Sequence, residues 1–368
     1  MKVVLAFDSF KETMTSLEVA LIAKEELLKK YPDLLVDVIS VSDGGEGSLE
    51  SIAYSRKSIM EEYTVTGPHF EKIRAAVLNV DGNYYIESAS VVGFKYKRKE
   101  DSPKFITTYG IGELIKLVLS NNPKSINICL GGTISNDGGC GMMAALGLDF
   151  FDENGNKFIP IGETIKNIHR IDINNVDKRI FNVEFNALSD VTNPLFGKNG
   201  ASYIFAKQKG ADDEEIEMLD EALVYLNKKI QETFLQDYSN IPGSGAAGGL
   251  GFACYALLKA KQKSGIDTIL DVCGFNSLIK DADYIFTGEG KLDNQSFQGK
   301  VIMGIIKKAE ELNKTVIGVF GKIDANVSDI PNIVKAVYET NYLNLPFEEV
   351  KKRCKDDLRE TIKRIILD

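Results

Sequence analysis

The residues able to do chemistry gather in short loops. Asp8, Ser9 and Lys11 follow a first apolar run, Asp43 and Glu46 stand in Ser42-Asp43-Gly44-Gly45-Glu46-Gly47, and Asn136 and Asp137 lie in GGTISNDGGCGMMAALG, from Gly131 to Gly147. Asp190 falls at residues 189–195, and Gly288, Glu289, Asp293 and Lys300 at residues 288–300. Residues 242–251 form a further loop whose signal is glycine alone, with Gly243, Gly245 and Gly248 in GxGxxG spacing. The two histidines, His69 and His169, lie outside all of these loops, and no serine elbow or catalytic cysteine accompanies them, which disfavours a histidine-based hydrolase. Glycine loops hold phosphates through backbone N–H groups, a carboxylate holds magnesium, a lysine offsets charge and an aspartate accepts a hydroxyl proton. These are the parts needed for phosphoryl transfer to an alcohol. Neither the Walker A spacing nor the protein-kinase signatures occur, so residue types alone lead as far as a kinase-like or phosphate-binding enzyme.

The elements that must position these loops are legible in the hydrophobic pattern. Residues 126–130 read as a short buried strand and residues 142–146 as the start of a helix, with the glycine-rich turn between them. Gly131, Gly132, Gly138, Gly139 and Gly141 admit close backbone approach, and Ser135, Asn136 and Asp137 are helix-capping types. A helix start with free N–H groups at that point would be an anion site. Residues 3–7 are continuously apolar, as in a parallel strand buried on both faces, and a helix is expected over 16–30 with Ser16 as its cap. A strand over 35–41 and a helix from Ser48 complete a βαβ opening, which places Asp8, Lys11, Asp43 and Glu46 at the carboxyl ends of strands.

From Tyr63 to about Gly93 the texture turns to antiparallel hairpins, with the turn Asp81-Gly82-Asn83, and a second domain begins there. A hairpin is expected around Glu153-Asn154-Gly155, a strand over 183–188, an acidic amphipathic helix over 212–234 and a helix over 252–261. The polar segment 236–242 before the GxGxxG is no strand, so the dinucleotide fingerprint is rejected. Buried-strand patterns return at 283–287, 315–320 and 334–338. The fold expected is therefore α/β with two domains: a flavodoxin- or Rossmann-like parallel-sheet domain from residues 1–63 and 281–368, and an inserted mixed α/β domain over residues 64–280.

Bulk properties agree with two such cores: 368 residues, 44% of them hydrophobic. A net charge of -9 argues against nucleic acid or an anionic membrane as partner. Five cysteines without a CxxC pair, and no signal-peptide pattern, point to a soluble cytoplasmic protein with reduced thiols. Pairing into a homodimer stays open.

The order of SFK, SDGGEG, GGTISNDGGCGM, SDVTNPLFGKNGA, PGSGAAGGLG and TGEGKLDNQSFQGK resembles the type I glycerate kinases over nearly the whole length. The resemblance implies ATP-dependent phosphorylation of D-glycerate, usually to 2-phosphoglycerate and in some members to the 3-phosphate, in a cleft between a flavodoxin-like domain and an inserted one. Ser9-Phe10-Lys11-Glu12-Thr13 stands where the family commonly has SFKGS, and Gly131-Gly132-Thr133-Ile134-Ser135-Asn136-Asp137-Gly138-Gly139 where it has GGSATNDGG; Lys11, Asn136 and Asp137 are kept. On this resemblance Asp8, Ser9, Lys11, Glu46, Asn136 and Asp137 are expected to bind substrate. A glycerate of so few atoms, even at about 1.5 kcal/mol each, depends on its carboxylate, which calls for Lys11 or Lys300. One of Asp190 and Asp293 would coordinate Mg2+, and the other, or Asp43, would orient or deprotonate the hydroxyl. Gly131, Gly132, Thr133, Gly138, Gly139, Gly243, Gly245, Gly248, Gly288 and Glu289 would hold ATP. The rival readings are a kinase for another small hydroxy acid and a non-catalytic sensor of sugar acids.

Overall fold

The computed structural model describes residues 1–293, 296, 301–324 and 330–368; Lys300 lies outside the described residues. The chain folds as two units. The first comprises Met1–Asp43, Glu50–Lys57 and Ile266–Asp368, the second Gly44–Leu49 and Ser58–Gly265.

In the first unit Lys2–Phe7 is flanked by Leu35–Ser40 and Tyr284–Thr287, followed by Thr315–Phe320 and Val334–Glu339, in one all-parallel sheet. Val3, Leu5 and Phe7 point to one face and pack with Val19 and Leu27 of the Ser16–Lys30 helix and with Leu358 and Ile362 of the Phe347–Arg364 helix. Val4 and Ala6, on the opposite face, are equally buried, which is why the run carries no polar alternation. Thr15, not Ser16, caps the first helix: its hydroxyl accepts from Glu18 N at 3.2 Å while the Glu18 carboxylate accepts from Thr15 N at 2.9 Å. Ser16 sits one residue inside and turns inward, donating to the Phe7 carbonyl at 2.7 Å.

In the second unit a six-stranded mixed sheet runs Lys261–Lys263, Glu184–Leu188, Ser125–Cys129, Asn83–Glu87, Lys72–Val80, Met60–Thr66. The last three strands are antiparallel hairpins, as the Asp81-Gly82-Asn83 turn predicts, and the other pairings are parallel. One buried core, including Ile126, Ile128, Phe185, Leu223 and Phe252, lies under this sheet. The hairpin Asp149–Phe151 with Lys157–Phe158 gains a third strand, Arg170–Asp172. The helix expected over 252–261 ends at Ala256. Lys259 takes φ 53°, which stops helical continuation, and Lys261–Lys263 pairs in parallel with Asn186–Leu188. Among the described residues no helix is long and apolar enough to cross a membrane.

Candidate functional site

In the first unit the sequence-chosen residues meet at the carboxyl ends of the parallel strands. Asp8 N donates to Gly288 O at 2.9 Å, joining the loop after Lys2–Phe7 to the loop after Tyr284–Thr287. A Cβ on Gly288 would stand 1.6 Å from the Val319 carbonyl oxygen, so this second loop can leave its strand only with glycine there. Asp8 is half-buried, Glu289 buried, and Asp43 and Lys11 exposed. Burial, then the neighbouring Asp43 charge, pushes the Asp8 carboxyl up to about 7; Glu289 adds to the rise, while the Ser9 N–H, 2.6 Å away, and Lys11 oppose it. Asp8 thus exchanges its proton near neutrality. Asp293 lies 3.6 Å from Lys291, which also approaches Asp324 at 3.4 Å.

In the second unit the 131–141 stretch does not offer the free helix start that its composition suggests. The helix is Cys140–Ala145, six residues, and wholly interior apart from Ala144. Asp137 is fully buried and accepts from Thr108 N at 2.9 Å, Thr108 Oγ1 at 2.8 Å, Gly139 N at 3.0 Å and Gly141 N at 3.2 Å. Met142 N donates to Thr108 Oγ1, Cys140 N to Asp137 O and Gly138 N to Gly248 O. The N–H groups that would have met an anion already have protein acceptors, so Asp137 ties the turn instead of facing a substrate. Burial raises its carboxyl against these four donors. Gly138 and Gly248 are joints: a Cβ would come within 2.2 Å of Leu226 Cδ2 at the first and within 2.0 Å of Ser135 O at the second. Gly139, Gly243 and Gly245 are likewise buried.

What remains open in this stretch is its beginning, where Gly132 is exposed and Gly131 partly so. The SDGGEG segment nests here. A Cβ on Gly131 would lie 2.6 Å from Gly45 Cα, and one on Gly44 would lie 2.8 Å from Gly265 Cα. Gly265 N and Ser264 Oγ in turn donate to Asp190 Oδ1 at 3.0 and 2.8 Å. Glu87, at the end of Asn83–Glu87, accepts from Leu49 N at 3.2 Å. Residues 44–49, 131–133, 190 and 264–265 therefore share the carboxyl edge of the parallel half of this sheet, with Glu46 exposed beside Gly132. Glu87 and Ser264-Gly265 carried no assignment from sequence. A carboxylate closing a strand was the available signal for Glu87; Ser264-Gly265 follows the short strand Lys261–Lys263, whose first residue falls inside the helix expected over 252–261.

Two polar atoms of this stretch have no hydrogen-bond partner among the described residues, Thr133 Oγ1 and Asn136 Oδ1, both in buried side chains. Asn136 Nδ2 is satisfied by Ser202 Oγ at 3.1 Å. A buried group without a partner costs roughly 1–3 kcal/mol, so these oxygens fit a ligand's polar groups or water. For a cation, no three Asp, Glu, His or Cys side chains are grouped to enclose one among the described residues. Magnesium on a nucleotide needs only one or two carboxylates, with phosphate and water completing its shell, and single carboxylates such as Asp190 and Asp293 fit that donor set.

The chain matches the Glycerate kinase family over residues 3–367. It is 35% identical to a glycerate kinase of Bacillus cereus over 369 aligned residues, covering 99% of this chain and 97% of the relative. It is 38% identical to the glycerate 2-kinase of Escherichia coli K12 over 330 residues, covering 89% and 87%. A crystal structure from Salmonella typhimurium LT2, provisionally named glycerate kinase 2, superposes with a TM-score of 0.83 at 34% identity, covering 99% of this chain and 96% of the other.

Proposed function

The chain belongs to the glycerate kinase family, and from that premise we propose that it transfers the γ-phosphoryl group of ATP to the C2 hydroxyl of D-glycerate, giving 2-phosphoglycerate and ADP. The observation that carries this reading is the nesting of residues 44–49 against Gly131 and Gly265, which gathers Glu46, Gly132, Thr133 and Asp190 at one sheet edge. The choice of C2 follows the relative named a glycerate 2-kinase.

In this mechanism the hydroxyl oxygen forms a bond to the γ-phosphorus as the bond to the β–γ bridging oxygen breaks, and the hydroxyl proton passes to a carboxylate. Asp8 is the proton acceptor we assign. Its sequence-based role was to hold substrate, but a carboxyl with a pKa of about 7 matches the task of a base at neutral pH better than one that is always ionised. Lys11, exposed beside it, takes the glycerate carboxylate, with the Ser9 hydroxyl as a further donor. Gly131, Gly132 and the unpaired Thr133 hydroxyl take phosphate oxygens, and Asn136 Oδ1 accepts from a substrate hydroxyl. One of Asp190 and Asp293 is the carboxylate that would hold Mg2+, which when bound offsets the charge of the β- and γ-phosphates. The test is a coupled assay with ATP and D-glycerate, followed by phosphorus NMR of the product. A 2-phosphate signal is expected; no ADP release would end the proposal, and a 3-phosphate signal would correct the position.

A further inference from the structure

Behind the loop that begins at Gly131 lies a lysine that no sequence signal distinguished. Lys209 is 3% exposed, and its ammonium donates to the carbonyl of Ser135 at 2.6 Å. It closes the short helix Lys207–Lys209, which continues directly from a π-helix over Ser202–Ala206. The wide π turn is what lets one short segment reach the loop twice, since Ser202 Oγ accepts from Asn136 Nδ2 while Lys209 holds the residue before it. The loop is gripped from its other sides by Ile134 N donating to Val92 O at 2.8 Å, by Gly248, which fits against the Ser135 carbonyl, and by Asp137 with its four donors.

A buried ammonium is expensive to keep. Burial lowers the Lys209 pKa to about 7, and only the nearby Asp137 charge pulls it back up. Holding one carbonyl does not need a charge; a neutral side chain or a water would serve a loop that only had to be ordered. We propose that Lys209 is a positioning residue, which fixes residues 133–137 through the Ser135 carbonyl so that the unpaired oxygens of Thr133 and Asn136 meet the ligand in a single arrangement. This rests on the reading above that the loop contacts the reactants.

The test compares wild type with K209M, which keeps the aliphatic volume and removes the donor, and with S202A, which removes only the Asn136 partner. Hydrogen exchange of peptides spanning 131–141 reports the loop without reference to activity, and steady-state kinetics well below the unfolding temperature reports its use. Loss of this buried hydrogen bond predicts exchange raised about tenfold in K209M, kcat/KM lowered about tenfold, and S202A shifted the same way by about threefold. A natively folded K209M with wild-type kcat and KM, or with unchanged protection over 131–141, overturns the proposal. If K209M does not fold, unchanged exchange and kinetics in S202A overturn it. A wild-type protein inactive on D-glycerate would sink the functional reading alone, and the exchange data would still decide whether Lys209 holds the loop.

Discussion

Asp8 in the first unit and Asp137 in the second are the same side chain in similar settings: each lies in a loop that follows a parallel strand, and burial raises the pKa of each. Their partners differ. Asp137 is fully enclosed, with four donors drawn from Thr108, Gly139 and Gly141. Asp8 is half-open, with the Ser9 N–H as its near donor and the charges of Asp43 and Glu289 against it. A saturated carboxylate builds; a crowded and undersaturated one is free to exchange a proton with whatever reaches it.

The strongest break of this comparison is Asp8→Asn. If Asp8 accepts the proton, kcat should fall by about 10²–10⁴ with little change in KM or in the folded state. The wild-type kcat/KM should rise with pH through about 7, since the base must lose its proton to act, and that acid limb should vanish in the variant. A D8N enzyme with wild-type kcat would hand the role to another carboxylate, with Asp43 the next candidate.

Asp137→Ala should do the reverse. It leaves Thr108 N, Gly139 N and Gly141 N buried without their acceptor, at a cost of roughly 3 kcal/mol, read as a lowered thermal midpoint. The fraction that remains folded should keep its pH profile. An unshifted midpoint together with a raised KM would mean that Asp137 faces substrate, as its place in the motif first suggested.

The sequence made the framework easy to read because apolar runs such as 3–7 and 126–130 are too short for a buried helix and rich in Val and Ile, so they read as strands buried in a sheet, and their ends locate the loops. It could not separate the two aspartates. Donor count depends on Thr108, distant in the chain from Asp137, and proton affinity depends on which strand ends become neighbours, neither of which is a local property. The glycines misled for the same reason. Composition shows that a Cβ is not tolerated but not whether a ligand or another segment of backbone stands in its place, and at Gly138 and Gly248 it is the protein itself. Lys209 was invisible because lysine is ordinarily a surface residue, and nothing local in the sequence shows that the segment after the π-helix turns inward.

Gly132 offers the smallest and most specific test. It takes φ +76° like its buried neighbours in the turn, but it is exposed, and a Cβ there would come within 3.3 Å of Ala89 Cβ and only into ordinary contact with Glu46, at 3.5 Å. Gly132→Ala should therefore cost only about 1 kcal/mol, the penalty of a left-handed backbone on an alanine, without the overpacking expected at Gly138. If phosphate oxygens approach this stretch of backbone, the added methyl should raise the KM for ATP by about threefold to tenfold and leave the KM for D-glycerate alone. If both constants stay at their wild-type values, the exposed glycine is only a turn former, and the distinction between glycines that pack and glycines that bind loses its one clear example.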